Sequence, residues 1–178
     1  MTWVFIKFGL EDLPPITFAV ASFTLSAAIL FPIIFIRKLP IPKSRAQWQM
    51  LIITGLLQFS INYSTVFWSE QYITSGLAAV LQATITVFGL VLAWIFLPAE
   101  RITKLKVMAV LLGIVGVAVI FADQLRVESV MAFAGSAAIV VGAYAAAQAS
   151  ILIKAKATGM DPASIVLWQM LCGMPVLI

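Results

Sequence analysis

Six long stretches of the chain contain no Asp, Glu, Lys or Arg: residues 13–36, 46–69, 71–99, 107–122, 129–153 and 162–178. A helix crosses the hydrocarbon core of a bilayer in about 20 residues, and each stretch has that length or approaches it. Backbone polar groups in lipid must find partners within their own segment, so such stretches are expected as helices rather than open strands. Stretch 107–122 is short and should borrow residues from its flanks. With 63% hydrophobic and 10% charged residues, the chain carries more apolar side chain than a water-facing surface can accommodate. The expected fold class is an all-α polytopic membrane protein, a helical bundle.

The connections alternate in charge. Residues 37–45 carry Arg37, Lys38, Lys43 and Arg45 with no acid, residues 100–106 carry Arg101, Lys104 and Lys106 against Glu100, and residues 154–161 carry Lys154 and Lys156 against Asp161. The intervening connections hold Glu11 and Asp12, then Glu70, then Asp123, Arg126 and Glu128. Basic loops at every second connection follow the positive-inside rule. They put 37–45, 100–106 and 154–161 on the cytoplasmic side of a plasma or inner membrane. The net charge of +4 sits in these loops, not in a stripe with interleaved aromatics, so no nucleic-acid partner is expected. A single cysteine, Cys172, rules out an internal disulfide. The absence of histidine removes the commonest metal ligand and catalytic base, and no metal or cofactor is expected. The opening Met1-Thr2-Trp3-Val4-Phe5-Ile6 lacks the basic region of a cleavable signal peptide.

The two ends share a pattern. Ile6-Lys7 is followed eight residues later by Pro15, and Ile153-Lys154 eight residues later by Pro162. Five helices separate the two copies, an odd number, so the copies should face opposite ways across the membrane, as in the inverted repeats of many secondary transporters. This divides the chain into a first repeat at 1–122, a loop at 123–128, and the start of a second repeat at 129–178. The apolar run 3–10 is too short to span, and the last stretch stops without a loop. A piece of a longer protein, cut inside a first and a seventh helix, is therefore expected; the alternative is a short protein with two interfacial ends.

Polar side chains in lipid usually face the protein interior or a water-filled cavity. Thr54, Gln58, Asn62, Thr65 and Ser69 lie at spacings of 4, 4, 3 and 4, on one helix face. Ser75, Ala79, Gln82, Thr86, Gly89 and Ala93 form a second stripe, polar at one end and small throughout. Thr54, Thr65, Ser69 and Thr86 read as packing contacts. Gln58, Asn62 and Gln82 stand evenly between packing and substrate recognition, since an amide both donates and accepts. Ala138, Gly142, Ala146 and Ser150 recur every fourth residue as a packing face, while Tyr144 and Gln148 on a neighbouring face could reach a cavity. Trp48, Trp68 and Trp94 lie towards helix ends, where an interfacial aromatic belt is the default; Trp168 and Gln169 lie mid-helix.

Several motifs together resemble the EamA-like branch of the drug/metabolite transporter superfamily, over essentially the whole chain. They are Lys7 with Glu11-Asp12-Leu13-Pro14-Pro15-Ile16-Thr17; Asn62-Tyr63; Tyr72-Ile73-Thr74-Ser75-Gly76-Leu77-Ala78-Ala79-Val80-Leu81; and Leu97-Pro98-Ala99-Glu100-Arg101-Ile102-Thr103, running on to Gly113-Ile114-Val115-Gly116-Val117. The resemblance implies two inverted five-helix repeats, of which this chain would hold the first without most of its first helix, and two helices of the second. It implies that the helices bearing Asn62 and Gln82 border a central substrate cavity. It also implies structural roles for Pro15, Glu100, Arg101, Gly113 and Gly116, with Glu100 ordering its turn beside Arg101 or Lys104. Two positions depart from the family pattern. Ser22 stands where an Arg is common, and Thr86 where a Pro is frequent, which suggests a straighter helix there.

The first functional reading is a secondary transporter, an exporter of small metabolites, amino acids or drugs. Its substrate cavity would draw on Gln58, Asn62 and Gln82, with Tyr144 and Gln148 as further candidates. The partners expected are a small-molecule substrate, the lipid bilayer and, as a candidate, a second copy in a homodimer. The second reading is a helix-packing scaffold or inactive fragment. The third is a membrane hydrolase using Ser150 and Lys154, four residues apart.

Overall fold

The computed structural model describes residues 14–97, 103–124, 129–157 and 159–177. All its regular elements are helical. Helix α1 is Pro15–Ile36. The second span, Arg45–Ser69, joins α2 (Arg45–Gly55), a π-helical segment (Leu56–Asn62) and α3 (Tyr63–Ser69). The third, Ser75–Phe96, joins α4 (Ser75–Gln82) and α5 (Thr84–Phe96). Then follow α6 (Lys104–Gln124), α7 (Val130–Lys156), α8 (Pro162–Gly173) and a 3-10 turn at Met174–Val176.

Helix starts are set by local chemistry. The first turn of a helix leaves N–H groups without helical acceptors, and short polar side chains supply them. Thr74 accepts from Leu77, Thr103 from Lys106, Ser129 from Ala132 and Asp161 from Ala163. Pro15, in the first turn of α1, needs no acceptor for its nitrogen. Ser44 forms a full capping box: Gln47 N donates to its hydroxyl at 3.1 Å, and Ser44 N donates back to Gln47 Oε1 at 3.1 Å. Ser44→Ala should lower unfolding stability in detergent by about 1 kcal/mol, read from the thermal midpoint.

Among the described residues, four helices are long and apolar enough to cross a membrane: Ile16–Ile36, Arg45–Ser69, Ser75–Phe96 and Val130–Lys156. The 21 residues of α6 span about 31 Å at 1.5 Å each, so residues 107–122 do gain length from both flanks. Leu25 is 65% exposed and Leu112 is 69% exposed. Large apolar side chains so placed suit lipid contact and would be costly in water.

Helix α7 is the centre of the bundle. Gly135, Gly142, Ala143, Ala145, Ala146, Ala147 and Ala149 are all buried, and it packs against the second and third spans and against α6. Small residues let helix axes approach where no hydrophobic effect drives association. Of the every-fourth-residue face, Gly142 and Ala146 are buried, whereas Ser150 is exposed. Helix α8 packs against α1, α2 and the π segment. An aromatic cluster fills the space between α1 and the second span, with Phe23 edge-on to Phe59 at 5.2 Å and to Tyr63 at 4.9 Å.

The third span is not regular α-helix throughout. At Ala83 the helix tightens: Ala83 N reaches both Ala79 O and Val80 O, Thr86 N turns to Ala83 O, and the Thr84 hydroxyl takes Leu81 O at 2.7 Å. The tightening lies within one continuous span of 22 residues, Ser75–Phe96, and arises without a proline. Backbone bonds to the third residue back, with a hydroxyl on a helical carbonyl, interrupt the ladder as effectively.

Candidate functional site

Two irregular helices meet at a pair of amides. Asn62 ends the π segment and Gln82 ends α4, each one residue from a break in regular α geometry. Gln82 Nε2 donates to Asn62 Oδ1 at 2.8 Å. Asn62 is 1% exposed, so the bond is shielded from water and from lipid. Gln82 Oε1 is buried and has no hydrogen-bond partner among the described residues. Gln58 is half-buried within the π segment, one residue after its second leucine.

The backbone around the pair is close-packed. A Cβ at Gly142 would strike the Thr65 hydroxyl and would lie 3.2 Å from both Asn62 Cα and Asn62 Oδ1. Only glycine lets α7 come this near. The Thr65 hydroxyl donates to Asn62 O at 2.7 Å, and the Ser69 hydroxyl lies 2.6 Å from Thr65 O and 2.8 Å from Gly135 O. The polar stripe of the second span thus serves packing at Thr65 and Ser69. Thr54, fully buried, donates within its own helix to Met50 O at 2.7 Å.

A cavity of about 490 Å³ lies between α1 and α3, with Ala19, Ser64, Thr65, Phe67 and Trp68 in its wall. Its surface is nearly all apolar. Gln58, Asn62 and Gln82 are not among its lining residues. Thr65 connects the two features, since it lines the cavity and bonds Asn62 one turn away.

The other sequence candidates fall elsewhere. Tyr144 is 43% exposed, and its ring meets Phe88 edge-on at 5.5 Å. It stands two residues from Gly142, on the opposite side of α7, and so faces away from the amide pair. Gln148 is half-buried one turn further along. Thr86 is exposed, and a Cβ at Gly89 would meet nothing within 4 Å, so the small stripe of the third span is not a close-approach face at those positions. Gly113 does permit close approach, since a Cβ there would strike Val87, whereas Gly116 has open space. The Ser150 hydroxyl donates to Ala146 O at 3.0 Å, within its own helix. Glu100 and Arg101, with Lys7, Glu11 and Asp12, lie outside the described residues.

Three features carried no sequence signal. Glu70, read as a loop charge, is 1% exposed at the end of α3. Gly55 and Gly173 mark a backbone-to-backbone crossing: a Cβ on Gly173 would lie 2.6 Å from Gly55 O. The Ser60 hydroxyl donates to Gly173 O at 2.7 Å, joining residues 113 positions apart. A glycine or serine in an apolar run does not disclose its partner, so no spacing rule finds these contacts.

Comparison with known proteins agrees with this architecture. The model of the EamA-like transporter family matches residues 1–122. Over 177 residues the chain is 25% identical to the uncharacterized transporter YoaV of Bacillus subtilis, covering 99% of this chain and 60% of that protein. It is 32% identical over 118 residues to an uncharacterized transporter of Archaeoglobus fulgidus, covering 65% of this chain and 40% of that one. It is 31% identical over 98 residues to protein PagO of Salmonella typhimurium, covering 54% and 32%. The chain thus spans 60% or less of the length of these relatives. No solved structure matches. With its apolar spanning helices, its buried intramembrane amides and the match over residues 1–122, the chain belongs to the EamA-like transporter family.

Proposed function

We propose that the full protein is a secondary transporter that exports small, largely apolar metabolites or drugs across the cell membrane by alternating access. The observation that carries this reading is the meeting of two interrupted helices at the Asn62–Gln82 pair. Transporter substrate sites are typically built where membrane helices lose regular geometry, because the freed polar groups can then face a substrate. Gln82 Oε1, buried without a partner, is an acceptor of this kind. The neighbouring cavity of about 490 Å³ falls within the range of small-molecule sites, about 300–1,000 Å³. Its apolar wall favours a substrate with little charge. The basic connections 37–45, 100–106 and 154–161 support a cytoplasmic placement for those loops. The Lys-to-Pro pattern at the two ends supports an inverted second repeat.

The test uses the full-length protein in liposomes, with a substrate found by screening a strain that lacks the gene. Asn62→Ala and Gln82→Ala should each cut transport about tenfold or more, while insertion, read by protease protection, stays intact. Unchanged transport in both variants would remove the amide pair from the substrate path.

A further inference from the structure

The π segment Leu56–Asn62 occupies seven residues inside a 25-residue span. Such segments are rare and are usually single turns. Residues 45–69 contain no proline, and their one glycine, Gly55, precedes the segment rather than lying within it. The side chains present are compatible with ordinary α-helix. The wider turn is therefore held from outside.

Two holds are visible. On one side, α8 grips the segment through Gly173, whose carbonyl accepts from the Ser60 hydroxyl at 2.7 Å. A Cβ on Gly173 would also lie 2.8 Å from Phe59 Cβ, within the same segment. On the other side, Asn62 is held by Gln82 at 2.8 Å and by the backbone of α7 at Gly142. Both sets of contacts bear on the same seven residues from opposite directions.

A second, independent observation concerns polar atoms left over. Gln169 is 3% exposed on α8, and its Nε2 has no hydrogen-bond partner among the described residues; the same holds for Gln82 Oε1 on α4. Each such group costs free energy that a partner would recover. These atoms sit on α8 and α4, two of the three elements that hold the π segment, and Trp168 Nε1 on α8 is a further such atom. A second packing is one way to satisfy such groups; at Gln82 a bound substrate is the other.

From these contacts we infer that residues 56–62 are a two-state joint, π-helical in the state described here and α-helical in a second. Returning one π turn to α geometry shifts the register by one residue. It turns α2 against α3 by about 100° and moves it by about 1.5 Å along the axis. The Ser60–Gly173 bond breaks in that step, and Gln58 changes face. Packed interfaces favour two discrete arrangements over a continuum, which makes a register shift of this kind a switch. The inference rests on the transport reading only for the use made of the two states; the joint itself is a property of the second span.

The joint can be read without any substrate. Spin labels on exposed Ile53 of α2 and exposed Val141 of α7, in a background with Cys172 and every other cysteine of the full-length protein replaced, report the rotation as a distance in nanodiscs. The parent should show one dominant distance. Ser60→Ala, which removes the hold from α8, should raise a second distance about tenfold in population. Deleting Ile61 lets six residues in α geometry cover nearly the same rotation as the seven π residues, so it should keep the parent's distance and remove the second one, even beside Ser60→Ala. If the deletion variant does not fold, Ser60→Ala decides. A distribution unchanged by Ser60→Ala would overturn the joint, even if transport is intact. A distribution that shifts while no substrate moves would leave the joint standing and remove the transport reading.

Discussion

Replacing Gly173 by alanine should cost about 2–3 kcal/mol of stability, because the added methyl group meets the backbone of a neighbouring helix. The added Cβ would lie 2.6 Å from Gly55 O and 2.8 Å from Phe59 Cβ. The first of these is backbone and the second is fixed to it, so neither can rotate away. Helix α8 would have to back off from the second span, losing dispersion contacts along the whole crossing. The Ser60 bond to Gly173 O at 2.7 Å would lengthen with it. Gly76, exposed with nothing within 4 Å of an added Cβ, is the control. There alanine should be neutral or should stabilise by up to about 1 kcal/mol, through helix propensity alone. Thermal unfolding of the two variants in the same detergent separates the effects. Equal midpoints would mean that the crossing is looser than the glycine contacts require.

Gly142→Val should act on both stability and transport. Its Cβ would strike the Thr65 hydroxyl and crowd Asn62 Cα and Oδ1 at 3.2 Å. Thr65 can rotate, at the cost of its 2.7 Å bond to Asn62 O, but the Asn62 backbone cannot, and valine adds two further methyls. An overpacked helix crossing costs about 1–3 kcal/mol. The strain falls on the residue whose Oδ1 accepts from Gln82 at 2.8 Å, so the amide pair is displaced as well. Transport should fall about tenfold or more, well beyond what reduced protein level explains. Transport normalised to folded protein in liposomes is the measurement. A normalised rate equal to the parent's would show that the position of Asn62 does not matter to the substrate path.

Much of the architecture was legible in the chain. Uncharged stretches of spanning length announced the helices, because lipid admits neither charge nor unpaired backbone at its centre. Their starts are capped by Ser44, Thr74, Ser129 and Asp161, which the structure rather than the sequence picked out. Asn62 and Gln82 stood out because amides are costly in apolar runs. Tyr144 stood out for the same reason and yet turns to Phe88, since a stripe says which face a residue occupies and not which neighbour that face meets.

What the sequence determined alone is the solvent this protein is built for, together with the approximate limits of its apolar stretches. Those follow from transfer free energies summed over a segment, which need no knowledge of partners. Only the tertiary structure decided that the second span widens into a π turn, that the third breaks at Ala83, that Gly55 meets Gly173, and that Glu70 is enclosed. Those depend on which helix lies against which. In a bilayer every apolar face is equally content with lipid, so hydrophobic pattern cannot choose between neighbours. Close approach at glycine, and the hydrogen bonds it allows, make that choice.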